Sequence, residues 1–280
     1  MNMLNQPLRP RWTALPLACV LLWAGACGDD SQAGDEASEG QPSVSTLYSA
    51  DVTTIVLEVD YGTGAEPYDG DTDAGTPLWD FFGMNAARMF QASPTPKTIT
   101  YPTTLEEMQE LTDIADDAYT GDEILTIADA HRDQKSEGST ATFYVLWLDG
   151  YYETDEGVQE GVLGVSFGDT GVIAMFKPVI SSAQGPLMLA DRVNQFVEQT
   201  TLVHEFGHAA GMVNRGVPLT SEHHDEEHGA HCTNTDCVMY YANEGAGDLI
   251  DFVVQLITTG DTIVFQDACL ADMDALASGE

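Results

Sequence analysis

Apolar residues run almost unbroken from Ala141 to Leu148 (Ala-Thr-Phe-Tyr-Val-Leu-Trp-Leu), the pattern of a strand covered on both faces. Asp51–Tyr61, which contains Thr-Thr-Ile-Val-Leu-Glu-Val, is a second strand signal. Gly161–Phe167 and Gly171–Phe176 read as two more, separated by a Gly-Asp-Thr-Gly turn. Helical spacing of apolar positions predicts helices over Leu78–Phe90 (Trp79, Phe82, Phe90), over Thr104–Ala118, and a short one over Glu123–His131. The clearest helix spans residues 190–212, with Val193, Phe196, Val197, Val203 and Phe206 on one face and Gly211 as a left-handed stop. Residues 247–258 and 265–277 read as C-terminal helices, and 62–76 as a Gly- and Asp-rich loop. Strands first and helices last predict an α+β fold rather than alternating βαβ units.

The N-terminus follows a different pattern. Arg9 and Arg11 precede an apolar stretch, Trp12–Trp23, then Ala24-Gly25-Ala26 and Cys27. This is the layout of an export signal, too short to span a bilayer comfortably. The small residues before Cys27 resemble a bacterial lipoprotein box, although Ala24 stands where Leu is usual. Residues 1–27 are therefore expected to be a lipoprotein-type leader. Residues 28–47, rich in Gly, Ser, Ala and acids, are expected to be a disordered linker, and 48–280 a catalytic domain. The implied location is the outer membrane or cell surface, anchored through lipid on Cys27, or otherwise the medium.

Composition sharpens this picture. A hydrophobic fraction of 43% permits an ordinary core, but nine basic residues against 46 acidic ones give a net charge of −37. Removing Arg9 and Arg11 with the leader leaves seven against 46, or −39. Such a surface repels phosphate backbones and anionic lipid, so no nucleic-acid partner is expected, and membrane contact only through the anchor. A monomer acting on a protein or peptide substrate is expected. After export and acylation, Cys232, Cys237 and Cys269 remain, which in an oxidising compartment predicts one disulfide and one odd thiol. Asp69-x-Asp71-x-Asp73-x-Gly75 resembles part of a calcium loop, with Gly75 one place late and Asp80 at the twelfth position, so Ca²⁺ is a possible second ion. No Gly-x-Ser-x-Gly is present, and Gly62-Thr-Gly64 lacks the rest of a nucleotide fingerprint.

Six of the seven histidines fall between His204 and His231. His204-Glu205-Phe206-Gly207-His208 is an H-E-x-x-H motif inside the clearest predicted helix. Residues four apart stack on one helix face, so two imidazoles can aim at one Zn²⁺ with Glu205 beside them as a base for water. A third ligand is needed. The position six residues after His208 is Asn214, a poor zinc ligand, although Gly211 is in place before it. The acid- and histidine-rich run Ser221–His228 supplies His224, His228, Glu222 and Asp225 as candidates, and His231 lies just beyond.

The segment His231-Cys232-Thr-Asn-Thr-Asp-Cys237-Val-Met239 resembles the archaemetzincin family of metzincin proteases, where a third zinc-binding histidine directly precedes the first cysteine. Asp60-Tyr61 and Gly64-Ala65-Glu66-Pro67-Tyr68 extend the resemblance upstream, so that it covers roughly residues 50–280. It implies a metzincin-like mixed twisted sheet with an active-site helix and C-terminal helices. It also implies His204, His208 and His231 as zinc ligands, Glu205 as catalytic base, and Met239 packed beneath the metal. Tyr241, or Tyr240, would be a tyrosine near the oxyanion. On this alignment Asn214–Ala230 is an insertion within the zinc motif. The family uses four cysteines for a second zinc. This chain has only Cys269 left, at another spacing, so that second site is not expected and a Cys232–Cys237 disulfide is.

The function implied is zinc-dependent peptide-bond hydrolysis outside the cytoplasm, with the peptide extended along an edge strand supplied by Gly161–Phe167. The alternatives are a non-enzymatic zinc- or calcium-binding surface lipoprotein, and a gluzincin-type protease with a downstream carboxylate such as Glu244.

Overall fold

A computed structural model describes residues 41–279, apart from 73–74, 184 and 187–188. The leader, Cys27 and residues 28–40 of the expected linker lie outside the described residues. In chain order the elements begin with helix α1 (Val44–Tyr48), strand β1 (Thr54–Gly62), helix α2 (Asp80–Met89), β2 (Thr98–Thr100), β3 (Gln109–Leu111), β4 (Ala118–Thr120) and α3 (Gly121–His131). There follow β5 (Thr140–Leu148), β6 (Tyr151–Thr154), β7 (Gly157–Gln159), β8 (Gly164–Ser166), β9 (Val172–Phe176) and α4 (Lys177–Ser182). The last third holds α5 (Ala190–Ala209), β10 (His224–Asp225), β11 (His231–Cys232), α6 (Ala246–Thr259) and α7 (Asp267–Ser278).

The main sheet has the order β2-β1-β5-β9-β8, with β3 beside the far end of β1. β1 runs parallel to β2, β3 and β5, β5 runs parallel to β9, and β8 is antiparallel at the edge. β5 is central, flanked by β1 along eight residue pairs and by β9 along five, and all of its residues but Thr140 are buried. β4, β6 and β7 form a small separate sheet. The result is the expected α+β arrangement, a mixed twisted sheet followed by the histidine-bearing helix and two C-terminal helices. Its first half is wound more like a parallel sheet than expected, since α2 lies between the parallel strands β1 and β2.

Three expectations change. No helix forms over Thr104–Ala118. That stretch holds one 3-10 turn, Leu105–Glu107, then β3 and a loop. Leu111 is the one buried residue between 104 and 118, and the backbone of Gln109–Leu111 pairs with β1, so the stretch meets its hydrogen bonds in the sheet and not in a helix. The hairpin β6–β7 and the short α4 were not anticipated. Residues 41–47 belong to the domain rather than the linker: Gln41 and Leu47 are buried, and Ser43 caps α1 by accepting from the Thr46 N–H. Val44 there fills the space beside two glycines, because a Cβ on Gly211 or Gly216 would sit 2.6 or 2.7 Å from its Cγ2.

Two buried polar contacts fix α5 and the sheet. Lys177 Nζ at the start of α4 meets Glu198 Oε2 of α5 at 2.6 Å, and the other carboxylate oxygen accepts the Tyr68 N–H at 2.6 Å. In β1, Asp60 accepts from the Tyr144 hydroxyl of β5 at 2.8 Å. Burial pushes the Asp60 carboxyl up to about 6, opposed by the Tyr144 hydrogen bond and assisted by the charges of Glu58 and Asp133.

A carboxyl raised in the folded state stabilises that state below its unfolded value near 3.8, and the benefit is lost as pH rises through about 6. The shift corresponds to about 2–3 kcal/mol. Asp60→Asn, which keeps an acceptor for Tyr144, should therefore gain on the wild type between pH 4.5 and 7.5 by roughly that amount. Urea unfolding of both proteins across this range checks it; a constant difference would contradict it.

Candidate metal centre

The H-E-x-x-H residues each face a different wall of the site. At about 100° per residue, His204 and His208 share a face and Phe206 points roughly opposite. Phe206 packs edge-on against Phe82 of α2 and Phe143 of β5, with ring centroids 5.1 and 4.8 Å apart, which sets the roll of the helix. Glu205 turns toward β8. A Cβ on Gly164 would lie 2.9 Å from the Glu205 Cγ, so only glycine lets the strand come this close. Gly207 turns toward Met239, whose Sδ would be 2.6 Å from a Cβ at that position. α5 ends directly after His208 in a Schellman motif. Gly211, at φ +86°, donates to the His208 carbonyl, and Met212 donates to the Gly207 carbonyl, both at 3.0 Å.

His231 arrives from β11, which pairs antiparallel with β10. The three imidazoles converge: His208 Nε2 is 3.0 Å from His204 Nε2 and 3.3 Å from His231 Nε2. The opposite nitrogens of two of them are held as donors. His204 Nδ1 donates to the Val238 carbonyl at 2.7 Å and His231 Nδ1 to the His228 carbonyl at 2.5 Å. Each of these two rings therefore presents an Nε2 lone pair to the other and to His208. Three nitrogens bonded tetrahedrally to one Zn²⁺ at about 2.0–2.1 Å lie about 3.3 Å apart, close to the spacing here. The residues fit such an ion. Burial, with the neighbouring imidazoles, holds His208 well below the usual histidine range and so in the neutral form a metal requires.

A fourth group reaches the same point. Glu244, at the end of a 3-10 turn over Tyr241–Glu244, places Oε1 2.9 Å from His231 Nε2, 3.8 Å from His204 Nε2 and 4.0 Å from His208 Nε2. These four side chains, the histidines buried and Glu244 half-buried, form a cluster able to hold a metal ion. Burial opposes the Glu244 charge, but its contact with His204 and His231 outweighs it and holds the carboxyl far below the usual range. Glu205 is only 3% exposed, and burial together with the Glu244 charge raises it well above normal, against the pull of Arg215 and the Ser166 N–H it accepts.

The other candidate ligands go elsewhere. His224 Nε2 meets the Gly229 carbonyl at 2.7 Å, and His228 pairs with Asp225 at 2.8 Å. Glu222 is exposed. The Tyr241 ring stacks on His228, centroids 3.6 Å apart and planes nearly parallel, and Tyr240 leans against it at 4.8 Å. Cys232, Cys237 and Cys269 are free, buried thiols, so the expected Cys232–Cys237 disulfide is not formed. The calcium-loop carboxylates separate, Asp69 accepting the Leu105 N–H and Asp80 the Tyr101 hydroxyl, while Asp73 lies outside the described residues. Glu244 was foreseen only as the ligand of the alternative protease, and its approach to the histidines has no local signature because a 3-10 turn, not a helix repeat, delivers it.

No family model and no curated protein matches the chain. A solved structure of a zinc-dependent peptidase from Methanocorpusculum labreanum is similar at a TM-score of 0.41 and 11% identity, covering 78% of this chain and 99% of that one.

The contact between Gly207 and Met239 yields a test. Replacing a mid-helix glycine by alanine normally gains about 1 kcal/mol, whereas overpacking costs about 1–3 kcal/mol. Gly207→Ala should be net destabilising, and the Gly207→Ala/Met239→Ala pair should lose less than the sum of the single losses in urea unfolding. A Gly207→Ala protein more stable than wild type would show that Met239 does not press on the motif.

Proposed function

We propose that the chain is a zinc-dependent peptidase acting outside the cytoplasm, with His204, His208 and His231 as metal donors and Glu205 as general base. One observation supports it above the others: the convergent Nε2 atoms stand beside a buried carboxylate of the same helix, next to the sheet edge β8. Three convergent imidazoles suit Zn²⁺. A bound Zn²⁺ would polarise the scissile carbonyl and bring the pKa of a water in contact with it toward about 7. Glu205 would take the proton of the attacking water and deliver it to the departing amine nitrogen. The Ser166 N–H holds that carboxylate in place, and burial beneath β8 keeps bulk water from competing for it.

An extended peptide would pair along β8, the edge strand within the predicted Gly161–Phe167, which brings its main chain past Glu205. Tyr241 is the proposed donor to the developing oxyanion, with its ring plane set by His228. The acidic residues of Ser221–His228, the segment whose His228 stacks on Tyr241, would favour basic substrate side chains. Export through the residue 1–27 leader, with a lipid anchor on Cys27, would place the enzyme at the cell surface.

The position of Glu244 favours a second reading. With its carboxylate as fourth donor, the centre would be closed, holding a metal without an open position for water. The protein would then bind metal and not hydrolyse.

Glu205→Gln should keep its metal and lose casein cleavage by about 10²–10⁴-fold. His231→Ala should lose the metal of this centre, while His224→Ala and His228→Ala retain it. Unchanged cleavage by Glu205→Gln would remove the base from the proposal. An inert wild type that gains activity on Glu244→Gln would establish the closed centre instead.

A further inference from the structure

The sheet edge beside the histidines is closed at one end. The Phe176 N–H donates to the Leu163 carbonyl and the Phe167 N–H to the Val172 carbonyl, both at 3.0 Å, so these odd-numbered residues turn their main-chain groups toward β9. Val162, Gly164 and Ser166 therefore turn theirs to the free edge. On that edge Glu205 takes the Ser166 N–H, and Val162 pairs with Gly245 in an isolated antiparallel bridge. Among the described residues no such bridge meets the edge past Ser166, where Gly168 and Asp169 are exposed. Resting on the peptidase reading above, we infer that the centre removes residues from the C-terminal end of peptides and does not cut within a chain.

The direction follows from strand pairing. Antiparallel ladders are the more stable kind, and the edge runs from Val162 toward Ser166. A peptide antiparallel to it enters past Ser166 and carries its C-terminus toward Val162. Glu205 marks the attacked bond, since its carboxylate holds Ser166 and its Cγ would lie 2.9 Å from a Cβ on Gly164. Val162 is only two residues before Gly164. Strand geometry makes that about 7 Å, room for about two peptide residues before the main chain of Gly245 stands in the way.

That end is a fixed wall, held from both sides. The Gly245 N–H donates to the Ala242 carbonyl at 3.1 Å, and the Gly245 carbonyl accepts from the Leu249 N–H at 3.3 Å as α6 begins. The Asn243 N–H donates to the Tyr240 carbonyl at 3.0 Å, and its side chain ties the turn to the carbonyls of Cys237 and Val238. Leu249 and Val253 root α6 in the core. A longer chain could pass only by parting Val162 from Gly245 and shifting the start of α6. The Glu244 carboxylate points back at the histidines, so the wall itself is main chain and selects by length. Each turnover adds one water across the last or next-to-last peptide bond. The hydroxyl ends on the carbonyl carbon of the shortened chain, and the proton on the amine nitrogen of the released residue or dipeptide.

The test gives zinc-loaded protein a linear N-acetylated peptide and a head-to-tail cyclic peptide of the same sequence, and maps products by mass spectrometry. Single residues or dipeptides should leave the C-terminus about 100-fold faster than any internal bond is cut, the penalty for about two broken backbone hydrogen bonds. The cyclic peptide should stay intact, and Glu205→Gln should lose the terminal release. Internal cuts at a comparable rate, or opening of the cyclic peptide, overturn the closed groove and leave the peptidase reading standing. No product from any peptide with zinc bound overturns both.

Discussion

Three imidazole nitrogens face one another in a buried space, and the rest of the site follows from that. Carbonyls of Val238 and His228 take the Nδ1 hydrogens of His204 and His231, which leaves their Nε2 lone pairs pointing at a common centre. Lone pairs so placed repel unless a cation lies between them. The fold accepts the arrangement because the elements that carry the histidines are held from behind. Phe206 fixes the roll of α5 against α2 and β5, Gly207 admits Met239, and Asn243 donates at 3.0 Å to the carbonyls of both Cys237 and Val238. The buried ion pair of Lys177 and Glu198 anchors the same helix two turns earlier. Replacing that pair by apolar residues need not cost stability, but removing one partner leaves a buried charge worth about 3–5 kcal/mol.

Much of this was legible in the residues because local patterns carry it. The apolar run of β5, the long α5 and its glycine stop, α2, α3 and the two C-terminal helices each bury a face that repeats at their own period. H-E-x-x-H needs only a helix to bring two histidines together. The helix expected over Thr104–Ala118 failed because sheet pairing of Gln109–Leu111 with β1 took up backbone hydrogen bonds that a helix would have used, and such pairing is non-local. His223 was missed, and Glu244 foreseen only for the alternative protease, for a similar reason. A 3-10 turn and an irregular loop deliver them, and neither has a spacing to recognise. Asp272, the partner of His223, lies 49 positions away in the sequence.

The segment between Asn214 and Ala230 changes meaning once its contacts are known. As a string of histidines and acids it offers several possible ligands for one ion. In the fold those groups are divided: His224 and His228 bond within the loop, Asp225 holds His228, and His223 turns inward to Asp272 and the thiols. Val213 and Asn214 enter the segment at φ +49° and +66°, a left-handed turn that is strained for a β-branched valine. That turn carries the chain away from α5, so that His231 returns from β11 and not from the sixth position after His208.

Anomalous diffraction at the zinc edge, on crystals of the purified protein, tests the central claim most directly. The account predicts a peak about 2.0–2.1 Å from the Nε2 atoms of His204, His208 and His231 at once. A zinc-loaded crystal with no peak there, or with a peak that leaves His231 out of reach, would contradict it.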